Sequence, residues 1–307
     1  MKALVATGDA QTPIEPREVD EPAVGPDQPL VEVRALSLNR GELRLLATRA
    51  AGWRPGQDIA GVVVRAAADG SGPPQGARVV ALVDQAGWAQ RVAVPSSRLA
   101  VLPESVSFAA AASLPVAGLT ALRALRLGGM LLGRSVLVTG AAGGVGHFAV
   151  QLAARSGARV TGVARGERAR GLRELGASEV VTRLADLEAP FDLILESTGG
   201  ASLTTALRLV GRDGLVVLFG NSSGEESQVS FASFVGHPHA RLYAFFVYES
   251  GEPPSFGADL RLLASEIATG HLRPQVGFEG TWTDLPGAMA ALRERQVEGK
   301  AVLHVEP

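Results

Sequence analysis

The stretch SVLVTGAAGGVGHFAVQLAARSG, residues 135–157, constrains the fold more than any other part of the chain. It opens with a run of branched apolar residues that reads as a buried strand and ends in a helix-like segment. Between them, VTGAAGGVGH places four glycines and two alanines within residues 138–147. A turn this bare lets the backbone N–H groups of a helix N-terminus approach a phosphate that side chains would otherwise block. Read as Ala141-x-Gly143-x-x-Gly146, it fits the glycine pattern of a dinucleotide-binding strand, turn and helix. Ala142, Gly143, Gly144 and Val145 are then cofactor contacts, and Gly146 lets helix and sheet pack closely. The alternative is a tight strand-to-helix turn with no ligand.

From Ser135 onward, apolar strands alternate with amphipathic helices, the order expected of βαβ units. We place strands at SVLVTG, ARVTGVA, SEVVT, FDLILEST, GLVVLFG and RLYAFFVYE, with helices starting near Gly144, Glu167 and Ala201. Six such strands predict a doubly wound parallel sheet of order 3-2-1-4-5-6. The first 125 residues or so read differently, as short strands between Gly/Pro turns: KALVA, LVEVRAL, IAGVVVRAA, ARVVALV and AQRVAV. EPREVDEPAVGPDQP reads as a surface loop. After a helix at about 257–269, the tail reads as a turn, a helix and a last strand that returns to the first domain. The expected architecture is α/β, with a β-rich domain over 1–125 and 270–307 and a Rossmann domain over 126–269.

The end of the second Rossmann strand selects the cofactor. An acidic side chain there suits the ribose hydroxyl of NAD, and arginine suits the 2′-phosphate of NADP. VTGVA ends in Arg165, Arg168 follows, and Gly166 between them leaves space for a phosphate. Glu167, flanked by two arginines, is better placed to start a helix, where a carboxylate suits the dipole. NADPH is therefore the expected cofactor, because arginine can meet phosphate in bidentate fashion. A solvated surface charge is the other reading of either arginine.

Composition narrows the partners. With 46% hydrophobic and 20% charged residues and a formal net charge of -2, the chain lacks the basic excess that nucleic acid or an anionic membrane would select. No stretch approaches the roughly 20 apolar residues of a membrane span. MKALVATGDA lacks the apolar run and cleavage site of a signal peptide, so a cytoplasmic location is expected. There are no cysteines, which excludes disulfides, a thiolate nucleophile and every cysteine-containing metal site.

VLVTGAAGGVGHFAVQLAARSGARVTGVAR, LRELGASEVV, FDLILESTGG, LPVAGLTALRAL and the closing VEGKAVLHV together resemble the medium-chain dehydrogenase/reductase superfamily, in its zinc-free quinone oxidoreductase (zeta-crystallin-like) branch. The resemblance covers nearly the whole chain. It implies a GroES-like substrate domain, a Rossmann domain and a cleft where nicotinamide and substrate meet. Zinc-dependent relatives carry ligands where this chain has Asn39 and Gln57, neither a good zinc ligand, so no metal is expected. By resemblance, Asn39 and Thr120 lie beside the nicotinamide, Phe219, Gly220 and Asn221 bound the cofactor from the other side, and Arg168 is the family's basic residue for the 2′-phosphate. Thr198, the last residue of the fourth strand, is counted with the cofactor contacts. Asn39 could instead satisfy a turn, and Thr120 could be a buried helix residue.

Hydride transfer without a metal requires an electrophilic acceptor, so the expected reaction is NADPH-dependent reduction of a quinone or related conjugated carbonyl compound. The alternatives are an enoyl or 2-enal reductase, a non-redox NADP-binding protein and a biosynthetic cyclase. The chain departs from the branch in its tyrosines: only Tyr243 and Tyr248 are present, both in the expected sixth strand. Trp53 or Trp88 could stack on a flat acceptor, or either could be core. His147 could donate toward the pyrophosphate or face solvent. His237 and His239 read as loop residues, and residues 219–234 as either a cover over the cofactor or an ordinary loop. The apolar sixth strand reads as an edge, the kind of strand that proteins cover or pair, and relatives dimerise through this region, so a homodimer is expected.

Overall fold

The structure, a computed structural model, describes residues 1–188, 190–250 and 254–306. Seven strands come first: β1 (Lys2–Ala6), β2 (Ile14–Glu18), β3 (Leu30–Leu38), β4 (Asp58–Arg65), β5 (Arg78–Leu82), β6 (Arg91–Ala93) and β7 (Leu99–Val101). Helix α1 (Arg40–Leu46) follows β3, and α2 (Phe108–Ala112) and α3 (Pro115–Arg126) follow β7. The middle of the chain runs β8 (Ser135–Val138), α4 (Gly144–Arg155), β9 (Arg159–Val163), β10 (Glu179–Val181), β11 (Phe191–Glu196), α5 (Ala201–Leu209), β12 (Val210–Leu218) and β13 (Arg241–Ala244). It closes with α6 (Phe256–Ala268), β14 (Val276–Thr281), α7 (Leu285–Arg293) and β15 (Lys300–His304).

These elements form two units, Met1–Leu119 with Gly251–Pro307, and Thr120–Ser250. The division falls inside α3. The second unit holds a six-stranded sheet of order β10-β9-β8-β11-β12-β13, parallel throughout. In the numbering of its own strands this is 3-2-1-4-5-6, as the alternation of strands and helices predicts. Its core gathers Leu137, Ile194, Leu203, Leu207 and Val216 from both strands and α5.

The first unit is built on a seven-stranded, mostly antiparallel sheet of order β14-β15-β3-β4-β5-β7, with β6 paired to β3. The last strand does return to it: β15 pairs antiparallel with β3, aligning Ala301 with Leu38 and Leu303 with Leu36. Trp88 is completely buried in this core with Leu36 and Ile59, so it cannot stack on a ligand. Trp53 is partly buried and donates from Nε1 to Gln85 Oε1 at 2.9 Å.

Several expectations change. Helix α6 packs on β7, on β5 and on the turn Ser96–Arg98, so it belongs to the first unit, where the sequence reading assigns it to the Rossmann domain. EPREV is not all loop, since β2 pairs with β1 through its first residues. Strands β7 and β14 have no counterpart in the sequence reading. The helix expected from Glu167 is only a 3-10 turn, Gly166–Ala169, because Gly171 and Gly176 adopt positive φ (78° and 105°) and interrupt the segment. The sixth strand stops at Ala244, so Tyr248 lies in the following turn, Val247–Glu249, and only Tyr243 is in β13. Among the described residues no helix is long and apolar enough to cross a membrane.

Candidate functional site

The glycine turn leaves β8 at Val138 and enters α4 at Gly144. Gly143 is the N-cap, with φ −86° and ψ 177°, and it brings neither a capping side chain nor an acidic neighbour in the first turn. The first N–H groups of any helix have no acceptor within it, and they carry the positive end of its dipole. The turn holds itself in place, the Gly143 N–H donating to the Gly140 carbonyl at 2.8 Å. A Cβ on Gly146 would lie 2.3 Å from the Gly140 oxygen and 2.7 Å from Ala141 Cα, so only glycine fits. His147 takes neither expected role. It is fully buried, Nδ1 lies 3.1 Å from the Gly143 carbonyl, and its ring packs on Phe148 at 4.0 Å.

The turn that leads into the neighbouring helix, α5, is held by a buried side chain. Glu196, at the end of β11 and with no exposed surface, accepts the Thr198 N–H at 2.6 Å and the Gly199 N–H at 2.9 Å on Oε1, and the Ser202 hydroxyl at 3.0 Å on Oε2. Burial pushes its carboxyl above the usual carboxylate range while the Gly199 and Thr198 N–H groups pull the other way. Sequence reasoning missed Glu196. Its signal is an acid ending an apolar strand just before two glycines.

Around it the structure gathers the carboxyl ends of β8, β11 and β12, the edge at which open α/β sheets bind ligands. The Ser197 N–H donates to Thr139 Oγ1 at 2.9 Å, the Phe219 N–H to the Glu196 carbonyl at 3.0 Å, and the Ser223 N–H to the Thr198 carbonyl at 2.8 Å. Gly220 lies against the Ser197 backbone. Asn221 organises its own turn, its Oδ1 accepting the Gly224 N–H at 3.1 Å and its Nδ2 donating to the Glu225 carbonyl at 3.0 Å. The following loop is tied to the start of α5, where the Gly200 N–H donates to Ser227 Oγ at 2.8 Å. His239 is in a loop with its Nδ1 2.9 Å from Asp213 Oδ1.

Arg165 stands just past β9, exposed, with no hydrogen-bond or ion-pair partner among the described residues. Glu167 begins the 3-10 turn and pairs with Arg170, an arginine that sequence reasoning did not single out. The Arg168 side chain lies outside the described residues. Thr120 on α3 is 5% exposed, and its hydroxyl has no hydrogen-bond partner among the described residues.

In the first unit Asn39 is the centre of a cluster that sequence reasoning did not foresee. Its Oδ1 accepts from Lys300 Nζ at 2.6 Å, and its Nδ2 donates to Asp58 Oδ2 at 2.9 Å and to Glu42 Oε2 at 3.3 Å. Lys300 also donates to Asp58 Oδ2 at 2.9 Å, as does the Ser37 hydroxyl at 2.7 Å. Asp58, Glu42 and Ser37 have no exposed surface, and Lys300 is 3% exposed. An ammonium on one side and the Asp58 carboxylate on the other settle the orientation of the amide. The Glu42 carboxyl is pushed up to about 8, first by burial and then by the charge of Asp58, and its Oε1 is buried without a partner. Gln57 is buried beside this cluster in sequence, and its carbonyl accepts the Val83 N–H at 2.9 Å. Among the described residues no group of three or more His, Cys, Asp or Glu could hold a metal ion.

Residues 144–265 match the family described as zinc-binding dehydrogenase. The spectinabilin polyketide synthase system protein NorB of Streptomyces orinoci is 34% identical over 92% of this chain, which spans only 13% of that protein's length. The chloroplast envelope quinone oxidoreductase homolog of Arabidopsis thaliana is 35% identical over 60% of this chain and 59% of its own length. The 2-methylene-furan-3-one reductase of Solanum lycopersicum is 28% identical over 93% of this chain and 74% of its own. The fold is that of the Escherichia coli quinone oxidoreductase complexed with NADPH, with a TM-score of 0.88 at 21% identity, covering 99% of this chain and 100% of that one.

Proposed function

Since the chain belongs to the medium-chain dehydrogenase/reductase superfamily of oxidoreductases, we propose that it is an NADPH-dependent reductase passing hydride to a quinone or a related conjugated carbonyl compound. One observation carries the reading: the N-terminus of α4 has no side-chain cap and lies behind a turn that admits no Cβ at residue 146. That is a built anion cradle, and the dinucleotide pyrophosphate is the anion that fits a strand-turn-helix of this kind.

The residues fit the cofactor. Ala142, Gly143, Gly144, Val145 and Gly146 would hold the pyrophosphate. Arg165, which has no partner among the described residues, would read the 2′-phosphate together with Arg168. Thr198, Phe219, Gly220 and Asn221 would bound the cofactor at the ends of β11 and β12. Asn39 and Thr120 would position the reacting groups. Bound NADPH supplies the hydride, and a proton drawn from water completes reduction of a quinone to its hydroquinone. Asn39 is committed to Lys300 and Asp58, and neither it nor Gln57 is a good zinc ligand, which supports zinc-independent chemistry.

The relative named as a 2-methylene-furan-3-one reductase favours a second reading, an enoyl or 2-enal reductase, in which hydride and proton add across a carbon–carbon double bond. The exposed Tyr243 and Phe246, on and just after the edge strand β13, support a homodimer through that edge.

The test is NADPH oxidation by the purified protein against quinones, enals and enones without oxygen, with NADH in parallel. NADPH-selective turnover is expected, and the best acceptor ranks the two readings. Tight NADPH binding with no turnover on any acceptor would overturn both.

A further inference from the structure

The buried cluster around Asn39 has a feature that goes beyond the fixing of one amide. Asp58 uses both of its oxygens. Oδ2 accepts from Lys300, Ser37 and the Asn39 amide, while Oδ1 accepts the Val116 N–H at 2.8 Å. Val116 is the second residue of α3, where a helix N–H has no acceptor within the helix. Pro115 precedes it and cannot donate. One carboxylate therefore satisfies the start of a helix 58 residues away in sequence and a side chain just past the end of β3.

We infer that Asp58 is a positioning residue for the proposed reductase, holding the Asn39 amide and the first turn of α3 in one fixed relation, with Lys300 as its counter-charge. This rests on the reading of Asn39 as a residue that positions the reacting groups. Each partner is matched. Asp58 and Lys300 are a buried ion pair, and such a pair is costly to break from one side because the remaining charge is left uncompensated. Glu42 holds the other edge of the amide, accepting both the Asn39 N–H at 2.8 Å and its Nδ2. Asn39 thus has no rotamer freedom left to lose when a ligand binds, which is how preorganised groups raise a rate.

The experiment compares Asp58→Asn with the double variant Asp58→Asn/Lys300→Met, which removes the stranded ammonium if the single variant does not fold. An asparagine has one acceptor oxygen. With it turned to Lys300 and Asn39, its NH2 faces the Val116 N–H and the tie to α3 is lost. In whichever variant folds, kcat is expected to fall at least about tenfold, since small misplacements at a reacting centre can cost about a hundredfold. The Kd for NADPH, measured without acceptor, should stay within about twofold, because the residues that would hold the cofactor are elsewhere. An unchanged kcat in a folded variant, or a Kd that weakens in step with it, overturns the assignment.

Hydrogen exchange separates this from the function itself. In the unaltered protein the Val116 amide should exchange slowly, and in the variant it should exchange at least about tenfold faster relative to the rest of the unit. Fast exchange of Val116 in the unaltered protein overturns the tie whether or not any variant folds. Slow exchange, in a protein that turns over NADPH with none of the quinones, enals and enones, would uphold the tie and defeat the proposed function.

Discussion

Gly146 stands so close to Gly140 that a Cβ on it would come within 2.3 Å of the Gly140 carbonyl oxygen. The contact is backbone to backbone, so no side chain can swing away to relieve it. Replacing Gly146 by alanine should cost about 1–3 kcal/mol of stability, as overpacking of an interior does. Because the strain falls on the first turn of α4, NADPH affinity should weaken as well. Denaturant titration and cofactor fluorescence on the same preparation check both, and an unchanged Kd would remove α4 from the cofactor site.

Arg165 has no partner among the described residues to lose, so its removal should leave the fold intact. Arg165→Ser is expected to weaken NADPH by about ten- to a hundredfold, the scale of a charge-assisted hydrogen bond, and NADH hardly at all. Arg168→Ser tests the second arginine in the same way. Equal effects on both cofactors would refute the 2′-phosphate assignment.

Glu42 makes a prediction about pH. Its folded carboxyl is held up to about 8 against an ordinary 4.5, so between those values the folded chain keeps a proton that the unfolded chain has released. The stability this contributes is complete below pH 4.5 and is lost as pH rises to about 8, beyond which the loss levels off. Glu42→Gln keeps the shape of the neutral acid and should flatten that slope. Urea unfolding from pH 5 to 9 reads it directly, and identical slopes in the two proteins would place the proton elsewhere.

Glu196→Ala would strand the partly buried Thr198 N–H and the buried Gly199 N–H, at a cost of about 1–3 kcal/mol for the buried donor. The turn that leads into α5 should loosen. Faster amide exchange over residues 197–203, with β8 and β9 unaffected, is the expected pattern.

The edge strand β13 gives the last prediction. Tyr243 is 50% exposed and Phe246 64% exposed, and a homodimer through this edge would cover them. Light scattering should give a dimer for the unaltered protein and a monomer for Phe246→Asp. A monomer in both would leave the edge uncovered.

The parallel sheet was legible because strands such as SVLV in β8 and the LVVL end of β12 carry apolar runs and its key turn has a composition few other structures require. The return of β15 to the first unit could be read from VEGKAVLHV. What stayed hidden depends on distance in the fold. Asp58 and Lys300 lie far apart in sequence and meet only because β15 inserts beside β3, so neither spacing nor composition announces the pair. His147 was misjudged for a related reason. A histidine in the first turn of α4 looks exposed, yet the helix turns it inward onto Phe148. Short exposed strands such as β2 carry no apolar pattern, since IEPRE owes its pairing to β1 rather than to its own residues.

Two helices begin at the same edge of the sheet, and the turns that lead into them differ. Ahead of α5 the Thr198 and Gly199 N–H groups are already spent on the buried Glu196 carboxyl, while the first turn of α4 carries no acidic side chain. Under the proposed function, a long ligand charged at several points would meet two unequal turns, and the direction in which it lies along the edge would follow from that inequality.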